Sequence, residues 1–266
     1  MTTQKDLALA FKALHRAEHP LLLFNAWDIA SARGIAATAP AIATSSGAVA
    51  ASHGFADGEA HPLDSVIAFV RRLCAAVSVP VSVDFEAGYS DTPEGAASAV
   101  EVILKAGAIG INLEDGLVDG RRKLADPQAH AAKIVAIRDV AQRLDVPLFI
   151  NARTDCFMLN PNDQRAALAA TIARAGVYAN AGADGLFVPG LNDLGLIAQL
   201  TAATTLPVNI MAAPESPSVA ELAQAGVARI SCGAWPMMEV MRWTARAAGA
   251  FVRDGTYPST ANSPAL

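Results

Sequence analysis

Eight short apolar runs recur along this chain at fairly even spacing, and each leads into an alanine-rich stretch with helical periodicity. The runs cover residues 21–25, 41–46, 79–86, 108–114, 147–153, 185–190, 206–211 and 228–233. Helices are expected at 28–38, 62–77, 92–106, 127–142, 162–180, 192–203, 217–225 and 235–252. Asp28, Thr92-Pro93-Glu94, Asp126-Pro127 and Ser216-Pro217-Ser218 supply start signals: an oxygen to cap the first N–H groups, or a proline preset to helical φ. Strands that are apolar on both faces belong in a parallel sheet covered by helices. Eight β-then-α units in 266 residues fit a (β/α)8 barrel (an α/β fold of the TIM type), which typically takes about 250 residues. A doubly wound open sheet competes less well, because no Gly-x-Gly-x-x-Gly follows the first run. Residues 1–253 are then one domain, opened by a helix with Leu7, Phe11 and Leu14 on one face, and 254–266 is a loose tail.

Composition limits the partners. Apolar residues are 53% of the chain, enough for one large core and too many for a disordered one. The net charge is −5 and no basic run exceeds Arg121-Arg122-Lys123, which argues against nucleic acid and anionic membrane. Cys74, Cys156 and Cys232 are odd in number and widely spaced, which excludes a disulfide framework and a cysteine zinc site. Residues 34–56 contain no Asp, Glu, Lys or Arg. Pro40, several glycines and Thr44-Ser45-Ser46 interrupt that stretch, so it reads as a buried strand between helix and loop rather than a membrane span. The N-terminus is charged throughout and does not resemble a signal peptide, so a cytoplasmic protein is expected.

In a barrel the active site lies at the C-terminal ends of the strands. Those ends are where the polar residues of this chain collect. The successive runs finish with Asn25; Thr44, Ser45 and Ser46; Asp84 and Glu86; Glu114 and Asp115; Asn151 and Arg153; Asn209; and Ser231. The starts of the same runs are apolar. Asp84 and Glu86, two apart, point to one face of a strand, with Glu114 expected beside them. Three crowded carboxylates repel unless a cation sits between them, and oxygen-only ligands favour a hard ion such as Mg2+. The plainer reading is that some of these acids cap helices or pair with Arg153, and Asp115 suits such a role.

Arg153 is the one basic residue at a strand end, and its guanidinium fork suits a substrate carboxylate or phosphonate. An ion pair with Glu114 or Asp155 is compatible with that role. Ser45, Ser46 and Gly47 begin a loop that either holds an anion on its backbone N–H groups or is simply a tight small-residue turn. Asn209 joins them as a candidate substrate contact, and Ser231–Gly233 as a weaker phosphate cup. None of the five lysines lies on an expected strand, which excludes Schiff-base and pyridoxal-phosphate chemistry there. No histidine ends a strand, so a zinc aldolase site is unsupported. Cys156 and Cys232, without a histidine companion, read as packing residues.

These residues carry a resemblance. Asn25-Ala26-Trp27-Asp28 with Ser31-Ala32-Arg33, Ala43-Thr44-Ser45-Ser46-Gly47 and Gly54-Phe55-Ala56-Asp57-Gly58-Glu59 come first. Val83-Asp84-Phe85-Glu86-Ala87-Gly88-Tyr89, Gly110-Ile111-Asn112-Leu113-Glu114-Asp115, Asn151-Ala152-Arg153-Thr154-Asp155 and Ala181-Gly182-Ala183-Asp184 follow. In this order the chain resembles the isocitrate lyase/phosphoenolpyruvate mutase superfamily over nearly its whole length. The resemblance implies a barrel whose last helix is exchanged between paired subunits, as a homodimer or homotetramer. It implies Mg2+, with Mn2+ as a substitute, on Asp84, with Asp57, Glu86 and Glu114 contributing directly or through water. Ser45, Ser46 and Arg153 would bind the carboxylate of an α-oxo or α-hydroxy acid, with Arg153, Glu114 and Asp57 as the candidate catalytic groups.

The implied activity is a Mg2+-dependent lyase that cleaves a C–C bond through a stabilised enolate. The alternatives are P–C bond chemistry of the phosphoenolpyruvate mutase or phosphonopyruvate hydrolase kind, and a non-catalytic carboxylate-binding barrel. One departure stands out. The isocitrate and methylisocitrate lyases carry a Lys-Lys-Cys-Gly-His motif in the loop after the fourth strand, and the mutase carries a Lys and an Asn. Residues 114–124 of this chain contain no Cys, His or Asn. Gly116 and Gly120 there suit a hinged lid and Arg121–Lys123 its anion-facing edge, although a solvated basic turn is the simpler expectation.

Overall fold

A computed structural model describes residues 2–118 and 121–256. After helix α1 (Gln4–Ala13) come β1 (Leu21–Leu23), β2 (Asn25–Ala26), α2 (Ile29–Ala36), β3 (Ile42–Thr44), α3 (Ser46–Ser52), α4 (Leu63–Ala76), β4 (Val81–Asp84) and α5 (Pro93–Lys105). The middle of the chain forms β5 (Gly110–Glu114), β6 (Leu117–Val118), β7 (Arg121–Arg122), α6 (Pro127–Arg143), β8 (Phe149–Arg153), α7 (Cys156–Leu159) and α8 (Gln164–Asn180). It ends with β9 (Gly185–Val188), α9 (Leu194–Ala203), β10 (Val208–Met211), α10 (Val219–Gln224), β11 (Arg229–Ser231) and α11 (Trp235–Asp254).

All eight expected runs are strands of one parallel sheet, in the order β1-β11-β10-β9-β8-β5-β4-β3-β2. β1 pairs with β11 while β2 pairs with β3, so the first barrel strand is split at Phe24 and its two halves close the sheet into a ring. The expected caps form as well. Asp28 and Ser218 make capping boxes, and Thr92 and Asp126 accept from first-turn N–H groups ahead of Pro93 and Pro127. Residues 34–56 form the end of α2, buried β3 and the short α3. No described helix is long and apolar enough to cross a membrane.

α1 seals the N-terminal end of the barrel. Phe11 is fully buried and meets Phe149 edge to face at 5.5 Å, and the His15 ring stacks on Phe149 at 4.0 Å. Burial pushes the His15 imidazole down to about 3, helped by the charge of Arg229, so it sits there neutral. The opposite end is open, and the site lies there.

α11 differs from the other long helices. Only Pro236 of its 20 residues is buried, and Met238, Val240, Met241 and Trp243 are exposed apolar side chains. A groove of about 540 Å3 on the outside of the barrel, lined by Leu22, Phe24, Ile35, Val219 and Cys232 among others, runs along the β1–β11 seam that a packed eighth helix would cover. Of the tail expected over 254–266, residues from 257 onward lie outside the described residues.

Candidate active site

Asp84 ends β4 and faces the open mouth. Its Oδ2 accepts from the Ser46 N–H and the Ser46 hydroxyl, both at 2.9 Å, and its Oδ1 accepts from Asn112 Nδ2 at 3.1 Å. The same Ser46 hydroxyl lies 3.2 Å from Asp57 Oδ1, so two carboxylates meet over one proton. Gly47 stands beside this pair, where a Cβ would lie 3.4 Å from the Asp57 carboxylate, about an ordinary contact distance. Asp84, Asp57, Ser45, Ser46, Gly47, Asn112 and Arg153 line one cavity of about 290 Å3. Phe187, Met211, Trp235 and Met238 give it apolar walls.

Arg153 ends β8 and is held on three sides. Its Nε and Nη2 donate to the two oxygens of Asp155 at 2.7 and 2.9 Å, and its Nη1 lies 2.7 Å from Glu114 Oε2. Burial alone would lower its charge affinity, but Glu114 and Asp155 outweigh that and hold the guanidinium above its ordinary range. Both readings of Arg153 are therefore compatible with its place, since it is ion-paired and also lines the cavity. Asp115 is structural. It is fully buried, accepting from the Asp155 N–H, from Arg174 and from the Tyr178 hydroxyl.

The expected trio Asp84, Glu86 and Glu114 does not come together. Among the described residues no three His, Cys, Asp or Glu side chains stand close enough to hold one ion. β4 stops at Asp84, and Glu86 sits in the following turn at φ +48°, so strand alternation no longer sets its direction. Its Oε2 accepts from the Gly58 and Glu59 N–H groups at 2.8 and 2.6 Å, pinning the loop that carries Asp57. Burial, with Asp57 and Asp84 nearby, pushes the Glu86 carboxyl up to about 7. Glu114 stands behind Arg153 with both oxygens against guanidinium groups, and burial pushes it up to about 8 against their pull.

Three further expectations change. Asn209 is fully buried below the cavity, bonded to Asn151, Ser231 and the backbone, so it does not reach a substrate. The N–H groups of Cys232 and Gly233 both donate to Asn25 Oδ1, at 2.9 and 3.0 Å, so they form no phosphate cup. In the Ser45-Ser46-Gly47 turn, Ser46 N–H is taken by Asp84 and Ala48 N–H by the Ser45 hydroxyl. The Gly47 N–H, in the first turn of α3, is left without an intrahelical acceptor and lies on the cavity wall.

After β5 the chain forms a β6–β7 hairpin on which Arg121, Arg122 and Lys123 are solvent-exposed, as the solvated reading expects. β6 and β7 pair antiparallel, and Arg122 reaches back over the site to Glu114 at 2.9 Å and Asp57 at 2.7 Å. Gly116 lets it approach, because a Cβ there would lie 2.2 Å from Asp155 Oδ2. Gly120 and Asp119 lie outside the described residues. Arg122 was visible in the sequence only as part of a basic triplet. Asp155 was expected only as an ion-pair partner of Arg153, and Asn112 only as part of a motif, while Trp235 and Met238 carried no signal of a site role.

The donor set fits a hard divalent ion. Asp84 and Asp57 are the pair of carboxylates that face the cavity, beside Arg153. Mg2+ is commonly held by only one or two carboxylates, with waters and substrate oxygens completing the shell.

Comparison with known proteins agrees with this fold. The family model described as phosphoenolpyruvate phosphomutase matches residues 11–252. The structure of a proposed phosphonomutase from Burkholderia cenocepacia J2315 is similar at TM-score 0.89 and 46% identity, covering 96% of this chain and 100% of that one. An uncharacterized protein of Mycobacterium tuberculosis is 41% identical over 93% of this chain and 90% of its own length. The 2-methylisocitrate lyase of Salmonella typhimurium is 30% identical over 75% of this chain and 68% of its own length. The chain is a (β/α)8 barrel that belongs to the phosphoenolpyruvate phosphomutase family, within the isocitrate lyase/phosphoenolpyruvate mutase superfamily.

Proposed function

We propose that the protein is a Mg2+-dependent lyase that cleaves a C–C bond in a small α-oxo or α-hydroxy carboxylic acid. The observation that carries this reading is the meeting of Asp84 and Asp57 over the Ser46 hydroxyl, in a cavity that Arg153 also lines. Asp84 and Asp57 would hold the ion, with Glu86 and Glu114 acting at one remove: Glu86 fixes the Asp57 loop and Glu114 fixes Arg153. Bound there, Mg2+ supplies a Lewis acid that stabilises oxyanion charge beside a carboxylate. Arg153 and the Gly47 N–H orient that carboxylate. Phe187, Met211, Trp235 and Met238 exclude water from it, and Arg122 closes the mouth with a positive charge over the developing anion. Pyruvate or glyoxylate release from a panel of such acids, with and without EDTA, tests the reading. Absence of metal-dependent turnover on every member would contradict it.

P–C bond chemistry is the second reading, favoured by the 46% identity to a proposed phosphonomutase along that protein's full length. It uses the same oxyanion-stabilising cavity. ³¹P NMR of phosphonopyruvate incubated with the protein and Mg2+ separates the two, since only the second reading moves phosphorus.

The molecule would work as a homodimer or a pair of homodimers. The exposed apolar face of α11 and the groove at the β1–β11 seam are complementary in character, and exchange of α11 between two copies would cover both.

A further inference from the structure

Below the cavity the barrel interior is polar, and a cation sits in it. Arg229 projects from β11 and is 1% exposed. Its Nη2 donates to Asn112 Oδ1 at 3.2 Å, and Asn151 Nδ2 donates to the same oxygen at 2.9 Å. Its Cζ lies 5.8 Å above the Phe11 ring. Among the described residues no carboxylate pairs with it, its Nε and Nη1 find no acceptor, and the charge it faces is Asp84, on the far side of Asn112.

That arrangement leaves Asn112 one orientation. A guanidinium has no acceptor, so the amide must turn its oxygen to Arg229 and its N–H2 to Asp84. The Asn112 amide thus reaches Asp84 Oδ1, while Ser46 holds Oδ2 from the other side. A buried, unpaired guanidinium lowers stability compared with an apolar side chain of similar volume. The Arg229 stem fills the barrel interior against Phe11, but among the described residues its one hydrogen bond goes to an amide that contacts the acid at the mouth.

We propose that Arg229 is a positioning residue for Asp84, acting through the Asn112 amide. With the amide locked, three donors hold the Asp84 carboxylate at both oxygens, two on Oδ2 and one on Oδ1, where it lines the cavity. Without Arg229 the Asn112 oxygen keeps only the Asn151 Nδ2 donor at 2.9 Å, so the amide is held less firmly and its bond to Asp84 Oδ1 loosens. The consequence for ion binding rests on the reading of Asp84 as the ligand; the orientation of Asn112 does not.

The test uses the full chain with ¹⁵N-labelled asparagine, the Asn112 side-chain signal being assigned by its loss in Asn112→Asp. In Arg229→Met the Asn112 NH2 protons should exchange with solvent several-fold faster, while the backbone amides of β4 and β5 keep their protection and the Tm holds or rises. Arg229→Lys should restore most of the protection. Mn2+ affinity, followed by electron paramagnetic resonance, should weaken about tenfold or more in Arg229→Met. Unchanged Asn112 exchange in Arg229→Met overturns the proposal. Faster exchange across β4 and β5 together with a lower Tm also overturns it, since that is a merely structural role. Loss of Asn112 protection in a protein whose unsubstituted form binds no Mn2+ supports the positioning and contradicts Asp84 as the ion's ligand.

Discussion

Arg122 donates from Nη2 to Asp57 Oδ2 at 2.7 Å, joining the hairpin after β5 to the acidic loop on the far side of the mouth. Its other terminal nitrogen reaches Glu114 at 2.9 Å, so one side chain spans the cavity entrance. The pairing is half-exposed and contributes under about 1 kcal/mol to folding. On the proposed function its value would lie in closing the site over an anion.

Arg122→Ala should therefore leave the Tm nearly unchanged and lower kcat/KM by about tenfold or more, the equivalent of one charged hydrogen bond. Amide exchange at the hairpin should speed up. A Tm fall with unaltered kinetics would show that the hairpin only braces the fold.

Arg153→Lys should damage both stability and turnover. A lysine ammonium cannot serve Asp155 at two oxygens and Glu114 at a third, so a buried carboxylate loses its partner. Breaking a buried pair costs on the order of 3 kcal/mol. Denaturant titration and steady-state kinetics on the same preparation check both losses.

Glu86 and Glu114 both contribute to the pH dependence of stability, and Glu86 is the simpler of the two to test. Its folded value of about 7 lies above the ordinary carboxyl value of 4.5, because burial disfavours the charge. Between those two values the folded chain holds a proton that the unfolded chain has released, so this contribution to stability is full below pH 4.5 and is lost as pH rises through 7. The shift corresponds to about 3 kcal/mol. Glu86→Gln keeps an acceptor for the Gly58 and Glu59 N–H groups and should make that slope shallower in urea titrations run from pH 4.5 to 8, leaving the part due to Glu114.

Trp243→Asp places a charge on the exposed apolar face of α11 and should shift the protein toward monomer in light scattering. The isolated barrel should keep its circular dichroism. An unaltered mass would show that α11 does not hold subunits together.

The fold was readable because parallel barrel strands are apolar on both faces, and because Asp28, Thr92, Asp126 and Ser218 mark helix starts locally. Asp84, Ser46 and Arg153 were readable as polar ends of apolar runs. Glu86 was misdirected by the same rule, since the strand ends two residues before it and a left-handed turn re-aims the side chain. Asn209 also ends a run, yet in the closed barrel it points inward below the mouth. Arg122 was legible only as part of a basic triplet and Asp155 only as a neighbour of Arg153, whereas Arg229 gains its place from a contact with Asn112, distant in sequence, that no local pattern announces.

Anomalous diffraction from crystals grown with Mn2+ and oxalate tests the ion site most directly. A single peak within coordination distance of Asp84, with Asp57 facing it directly or through one water and oxalate reaching toward Arg153, is the expected result. A peak elsewhere, or none with Asp84 still bonded only to Ser46 and Asn112, would contradict it.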